Sequence, residues 1–152
     1  MNPNRLWSPA FINYGVSSGI FYMTQYVLVA ALPIILTSDL GGTALDAGLA
    51  MTYFQIGTIV CRPFAGRLID GLDKRVILLL SSILFFIIMG LFNLTTSLET
   101  IFVLRGLHGA IFALATTVMA ALAVVVLPAA RKGEGINMFA VFSNIAMVLG
   151  RL

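Results

Sequence analysis

Long apolar segments alternate with short polar breaks along the whole chain. Five segments can be distinguished, at residues 11–36, 44–66, 76–95, 100–127 and 135–152. A helix needs about 20 mostly apolar residues to cross the hydrocarbon core of a bilayer, and each segment reaches or approaches that length. The pattern therefore predicts an all-α integral membrane protein with five transmembrane helices and little chain outside the bilayer.

The break between the first two segments contains residues that end and start helices. Gly41 and Gly42 interrupt the apolar pattern, and Thr43 has the side chain of an N-cap. Asp46 then falls in the first turn of the second helix, where a negative charge suits the helix dipole. Pro63 lies inside the second segment, where it is expected to kink the helix.

The composition supports the same class. Hydrophobic residues make up 60% of the chain, charged residues only 10%, and the mean hydropathy is +1.04. A soluble domain carries about 25% charged residues, so a soluble globular protein is excluded. The single cysteine, Cys61, allows no internal disulfide, and no ligand spacing indicates a metal site.

The sequence lacks the patterns of enzymes and of nucleic-acid-binding proteins. It has no paired carboxylates inside an apolar segment, no Gly-rich phosphate loop and no convincing Ser–His–Asp set. Its net charge is +3, but most of its basic residues lie in short polar segments, where they act as topology signals. We therefore predict no enzymatic activity, no cofactor and no nucleic-acid partner.

Basic residues alternate from loop to loop. They are absent from the first and third loops, which carry Asp39 and Glu99. The basic residues of the other polar segments are Arg5 before the first helix, Arg67, Lys74 and Arg75 in the second loop, and Arg131 and Lys132 in the fourth. The positive-inside rule then predicts a multi-pass protein of the plasma membrane with a cytoplasmic N-terminus.

The second loop is densely charged, with five charges in the nine residues 67–75. It resembles the loop between helices 2 and 3 of major facilitator superfamily transporters. Gly66 and Asp70 match the first and fifth positions of that motif, and Lys74 and Arg75 match its closing basic pair. Two positions depart from it: Gly71 replaces a basic residue, and Asp73 replaces a glycine.

The resemblance implies that Gly66, Asp70, Lys74 and Arg75 form a gating loop. In the family, this loop holds one conformation of the alternating-access cycle through contacts between the two halves, and a charge network of this kind can be bistable. The alternative is a solvated turn that only sets topology.

A second match lies in the fourth segment. Arg105-Gly-Leu-His108-Gly109 is similar to the Arg-x-x-Gln-Gly pattern of the same superfamily, with His108 at the glutamine position. The resemblance implies a role for Arg105 in proton coupling. His108 is either a proton-coupling or substrate group, because imidazole titrates near neutral pH, or a hydrogen-bonded packing residue. Phe112 and Thr116 follow on the same helical face.

Helix 1 carries a polar face that includes Tyr22 and Gln25. In the superfamily, helices 1 and 4 face the central cavity, so the resemblance places these two side chains with Arg105 and His108 as candidates for the substrate cavity. The alternative is helix packing, which the GxxxG spacing of Gly15 and Gly19 would favour.

The fifth segment is still helical in character where the chain stops. Gly150 falls at a family glycine, but Arg151 stands where proton-coupled drug exporters of the family have proline. Family members have about 12 helices in two six-helix halves. We therefore expect residues 1–152 to be a partial N-terminal domain that supplies five helices of the six-helix bundle, lacks the C-terminal half and is inactive alone.

The resemblance implies the function as well. It predicts secondary, proton-coupled export of a small organic solute by alternating access, with the lipid bilayer, the solute, protons and the C-terminal half as partners. A different class stays open: a stand-alone small membrane protein that acts as a homo-oligomer, or a non-transporting membrane component.

Overall fold

The computed structural model describes residues 6–151. Within that range the chain forms helices and no strand. The α-helices are α1 (Pro9–Ser38), α2 (Ala44–Gly71), α3 (Lys74–Phe92), α4 (Leu98–Val125) and α5 (Lys132–Leu149), and a 3-10 turn at Ala129–Arg131 precedes α5. The predicted all-α class is confirmed. The described helices α1 to α4 are long and apolar enough to cross a membrane, whereas α5 carries Lys132 and Glu134 in its first turn and two asparagines farther on.

The limits of α1 and α2 differ from the limits of the apolar segments that predicted them. α1 begins at Pro9, and the Ser8 hydroxyl accepts a hydrogen bond from the Phe11 amide at 3.2 Å. Proline suits the first helical position because it has no amide hydrogen to leave unpaired. α2 continues five residues beyond the predicted end, to Gly71. The last turns of α2 are therefore polar and extend beyond the apolar segment that predicted the helix.

The contacts of the chain define two units. Among the described residues, one consists of residues 6–27 together with residues 119–151, and the other consists of Leu28–Val118. Helices α1 and α4 each contribute to both units.

In the first unit, the start of α1 packs against α5. Phe11 is fully buried, and its ring centroid lies 6.5 Å from that of Phe142. A Cβ added at Gly15 would lie 2.6 Å from the Phe142 ring, and one at Gly19 would lie 3.4 Å from the Phe142 carbonyl oxygen. These two glycines are therefore packing residues, as the GxxxG alternative predicts.

α5 begins three residues earlier than the sequence predicts. Gly133 and Glu134 precede the predicted segment, which starts at residue 135, but they lie inside α5. Gly135 is buried, and a Cβ there would lie 2.4 Å from the Leu127 side chain. The glycine thus permits close packing and does not end the helix.

In the second unit, the backbones of α2 and α4 pack closely against each other. A Cβ added at Gly57 would lie 2.0 Å from the Gly106 carbonyl oxygen, and one at Gly109 would lie 2.0 Å from that of Phe54. The Thr58 hydroxyl donates to the Gly109 carbonyl at 3.2 Å. Small residues at a helix crossing allow such close approach in a membrane protein, and this crossing brings the residues of the candidate site together.

The predicted N-cap of α2 is confirmed as a complete capping box. The Thr43 hydroxyl accepts from the Asp46 amide at 3.4 Å, and an Asp46 carboxylate oxygen accepts from the Thr43 amide at 2.7 Å. Both bonds satisfy amides that the helix leaves unpaired.

We expect Thr43→Ala to lower the free energy of unfolding by about 1 kcal/mol, because it removes the cap hydroxyl. Denaturant titration of the detergent-solubilised chain, followed by circular dichroism, measures this change. Thr52→Ala is the matched control, since the exposed Thr52 hydroxyl bonds only the Gly48 carbonyl of the same helix. Its expected change is within about 0.5 kcal/mol. Equal effects of the two substitutions would contradict the assigned role of the cap.

Candidate functional site

Arg105 of α4 is fully buried and is held by residues of α2. Its Nη2 donates to the Met51 sulfur at 3.0 Å, and its Cζ lies 5.0 Å from the centre of the Phe54 ring. A thioether is a weak acceptor, and an aromatic face attracts a guanidinium through its quadrupole. At the helix crossing, a thioether sulfur and an aromatic ring therefore contact the guanidinium, which has no access to solvent.

His108 lies one turn farther along α4 and is also fully buried. Its Nδ1 is 3.4 Å from Nη1 of Arg105. Because a guanidinium can only donate, Nδ1 is the acceptor, and a neutral imidazole must then carry its proton on Nε2. Within residues 6–151, Nε2 has no hydrogen-bond partner.

Three aromatic rings surround the imidazole. The ring centroids of Phe54, Phe85 and Phe92 lie 5.3, 4.8 and 5.9 Å from that of His108. Phe54 comes from α2, and the other two come from α3. His108 is therefore enclosed by apolar groups on one side and bonded to Arg105 on the other.

The rest of the predicted face of α4 is buried but makes bonds within its own helix. Thr116 is 5% exposed, and its hydroxyl donates to the Phe112 carbonyl at 2.8 Å. The Phe112 ring packs 5.5 Å from that of Phe54. The polar chemistry of this face thus resides in Arg105 and His108.

The candidates on α1 belong to the first unit, whereas Arg105 and His108 belong to the second. Gln25 is buried and Tyr22 is half-buried. Both side chains take part in polar or ring contacts. The shared cavity expected for the four residues stays a prediction.

The charged loop is a two-residue connection between α2 and α3. The Lys74 ammonium donates to the Ile69 carbonyl in the last turn of α2 at 3.1 Å. Asp73 caps α3, since its carboxylate accepts from the Arg75 amide at 2.7 Å. Asp73, one of the two residues that depart from the family motif, therefore has a local structural role.

Two other members of the predicted gating loop are exposed. Gly66 lies inside α2 with open space around it, and Asp70 lies in the last turn of that helix. In the described part of the chain, Asp70 makes no ion pair with Arg67, Lys74 or Arg75. Their proposed role in gating would therefore need contacts other than those within this loop.

The two aspartates of the loop should differ in their effect on stability. We expect Asp73→Ala to lower the free energy of unfolding by about 1 kcal/mol, because it removes the cap of α3. Asp70→Ala should change it by less than about 0.5 kcal/mol, since this carboxylate is exposed. Denaturant titrations of both variants under the same detergent conditions make the comparison, and a larger loss for Asp70→Ala would show that the cap assignment is wrong.

Sequence reasoning missed the residues that hold the pair. Met51 and Phe54 of α2 and Phe85 and Phe92 of α3 lie in segments that are apolar throughout. No local pattern separates a residue that contacts a buried charge from one that faces lipid. A buried arginine on α4 was itself the only signal that such partners must exist.

Comparisons with known proteins place this arrangement in a family. The sequence matches the profile of the Major Facilitator Superfamily over residues 14–152. It is 27% identical over 146 residues to the staphylopine export protein of Staphylococcus aureus, a match that covers 93% of this chain and 35% of that protein. It is 26% identical over 124 residues to the quinolone resistance protein NorA of the same species, covering 82% of this chain and 32% of NorA.

A shorter match is closer in sequence. Over 60 residues the chain is 42% identical to an uncharacterized MFS-type transporter of Pseudomonas aeruginosa, covering 39% of this chain and 15% of that protein. The chain thus spans about a third or less of the length of these relatives. Since the family profile covers nearly the whole chain, the chain belongs to the Major Facilitator Superfamily.

Proposed function

We propose that this chain takes part in the export of a small organic solute by a secondary transporter that exchanges the solute for protons. The chain belongs to a superfamily of transporters, and its relatives include a protein named for staphylopine export and one named for quinolone resistance. The finer proposal rests on one observation: the buried contact between Arg105 and His108 within a membrane helix.

A charged side chain inside a membrane helix costs several kcal/mol and usually marks a functional site. Arg105 is fully buried, so a functional role would explain why the chain keeps this costly residue. His108 lies next to it, and histidine is the one type of side chain whose ordinary titration falls near neutral pH. A proton arriving at Nδ1 would remove the acceptor that Arg105 now uses.

Protonation would also change the electrostatics of the pair. It would place a second positive charge 3.4 Å from the guanidinium, and like charges at that distance repel strongly where solvent is excluded. The pair would then have to separate, with movement of α4 or of the side chains. Such a charge-dependent contact can bias two conformations of a transporter.

The other predicted roles and the predicted location are part of the same proposal. The loop residues Gly66, Asp70, Lys74 and Arg75 would act as a gate, and Tyr22 and Gln25 would contribute to the solute cavity. The protein would lie in the plasma membrane with its N-terminus in the cytoplasm; Arg5, which supports this orientation, lies outside the described residues. The chain alone would be inactive and would need the C-terminal half of a transporter.

Transport into everted membrane vesicles tests the proposal. Vesicles that contain the complete gene product would be energised by respiration and supplied with ciprofloxacin, a fluorescent quinolone, or with ethidium. We expect accumulation above that of vesicles from the empty host, release of lumenal protons reported by acridine orange, and loss of both signals when nigericin collapses the pH gradient. Accumulation that survives nigericin would contradict proton coupling, and the 152-residue chain expressed alone should accumulate neither probe.

His108→Gln separates proton coupling from packing. Glutamine keeps an acceptor for Arg105 but does not titrate, so proton-driven export should fall and its dependence on pH, measured between about 6 and 8, should flatten. The initial rate of ciprofloxacin accumulation, measured across this range at a constant pH gradient, gives the profile. An unchanged pH profile would assign His108 to packing.

A further inference from the structure

His108 has no acidic partner in the part of the chain that the structure describes. The six acidic residues of the chain all lie in loops or in the first or last turns of helices. Glu99, the acidic residue of the same helix, precedes His108 by nine residues, which is about 14 Å along the helix axis. A proton taken up by His108 would therefore create a buried positive charge that no carboxylate of residues 6–151 offsets.

The contacts of the imidazole within the described range include no other group that could balance this charge. On α4 itself, the charged neighbour is Arg105, whose charge has the same sign. The ring contacts from α2 and α3 are made by phenylalanines, which do not titrate. The imidazolium would therefore need a partner other than an anion.

The three phenylalanine rings around His108 can act as that partner. Phe85 is the nearest, with ring centroids 4.8 Å apart and ring planes inclined by 48°. Phe54 follows at 5.3 Å and Phe92 at 5.9 Å. An aromatic face attracts a cation within about 6 Å of its centre, and the attraction is larger where water is excluded. His108 is fully buried, so the rings act on it at their full strength.

Nε2 of His108 points to the same role for the rings. In the neutral imidazole Nδ1 accepts from Arg105, so the hydrogen lies on Nε2. Within residues 6–151 this buried atom has no conventional hydrogen-bond partner, and an N–H that is buried without a partner is costly. An aromatic face is a weak acceptor for such an N–H. The rings therefore suit both the neutral and the protonated form of His108.

We propose that Phe54, Phe85 and Phe92 form an aromatic cage that holds the imidazolium of His108 after it takes up a proton. The proton bonds to the lone pair of Nδ1, and the hydrogen bond from Arg105 is released. The guanidinium keeps its contacts with α2, while the imidazolium stays against the rings. The inference rests on the proposed function in taking His108 as the proton carrier, and it identifies the groups that stabilise the bound proton.

Phe85 is then a positioning residue for the proton, and the single histidine of the chain allows a direct test. The untagged chain would be produced with isotope-labelled histidine and placed in phosphatidylcholine nanodiscs. Nitrogen chemical shifts in NMR spectra distinguish the Nε2–H tautomer from the imidazolium. We expect the Nε2–H tautomer at about pH 8 and a measurable fraction of imidazolium at about pH 5.

Phe85→Leu should lower the ratio of imidazolium to neutral imidazole at about pH 5 roughly five-fold, because it removes the nearest aromatic face. Phe85→Tyr keeps that face and should keep the ratio within about two-fold of the unmodified value. Phe86→Leu is the matched control, since Phe86 is the next residue on α3 and its side chain is 63% exposed. Its ratio should equal that of the unmodified chain.

An unchanged ratio in a folded Phe85→Leu protein would overturn the cage and leave proton uptake by His108 in place. Absence of imidazolium at about pH 5 in the unmodified chain would overturn both. If Phe85→Leu fails to fold, Phe92→Leu replaces a half-buried ring of the same helix, and an unchanged ratio there would equally overturn the cage. The nigericin assay tests export separately, because the NMR ratio does not depend on transport.

Discussion

Arg105→Ala is expected to lower proton-driven accumulation in everted vesicles at least about ten-fold, to the level of vesicles that lack the protein. The substitution removes the buried guanidinium that contacts the Nδ1 of His108 and the sulfur of Met51. Arg105→Lys should give an intermediate rate. It retains the charge, but a compact ammonium cannot reach both partners as the planar guanidinium does.

Two controls separate coupling from a loss of folding. Arg131→Gln removes an arginine that pairs with Glu134 at 2.7 Å outside the buried site, and it should leave export near the unmodified rate. Exchange of labelled solute in the absence of a pH gradient should persist in Arg105→Ala, because exchange needs no net proton movement. If exchange and net export disappear together in a folded Arg105→Ala protein, the arginine binds solute or supports the structure and does not couple protons.

Gly109→Ala is expected to destabilise the protein by about 1 to 3 kcal/mol. The added Cβ would lie 2.0 Å from the Phe54 carbonyl oxygen, and a backbone atom cannot rotate away as a side chain can. α2 and α4 would have to separate. Since Phe54 also contacts Arg105 and His108, the same change should reduce export. Thermal unfolding in detergent, followed by circular dichroism, measures the loss of stability.

Gly106→Ala provides the matched control on the same helix. A Cβ at Gly106 would lie 3.8 Å from the Tyr53 carbonyl oxygen, which is an ordinary contact. Alanine favours a helix over glycine by roughly 0.5 to 1 kcal/mol, so this variant should be as stable as the parent or slightly more so. Equal stability of Gly106→Ala and Gly109→Ala would show that the close crossing of α2 and α4 does not limit stability.

Local sequence predicts the presence of a helix better than the positions of its ends, because the two depend on different interactions. The apolar segments predicted the helices because the bilayer acts on each segment separately. The segment limits were less accurate: α2 extends to Gly71 rather than to residue 66, and α3 ends at Phe92 rather than at residue 95. Caps such as Asp73 determine where a helix starts, and a polar turn can continue a helix beyond the apolar segment.

The candidate site shows the limit of local patterns. Arg105 and His108 were found because a cation and an imidazole in an apolar segment are rare and costly. Their partners Met51, Phe54 and Phe85 carried no such signal, since an apolar residue looks the same whether it faces lipid or a buried charge. Only the packing of α2 and α3 against α4 selects them.

By itself, the sequence determined the membrane class, the five helices, the capping box at Thr43 and the two motifs that point to the superfamily. All of these depend on residues close together in the chain. The tertiary structure decided which glycines are needed for close packing and which aromatic rings enclose His108. Those features depend on contacts between segments distant in sequence, which local polarity cannot specify because nearly every surface of these helices is apolar.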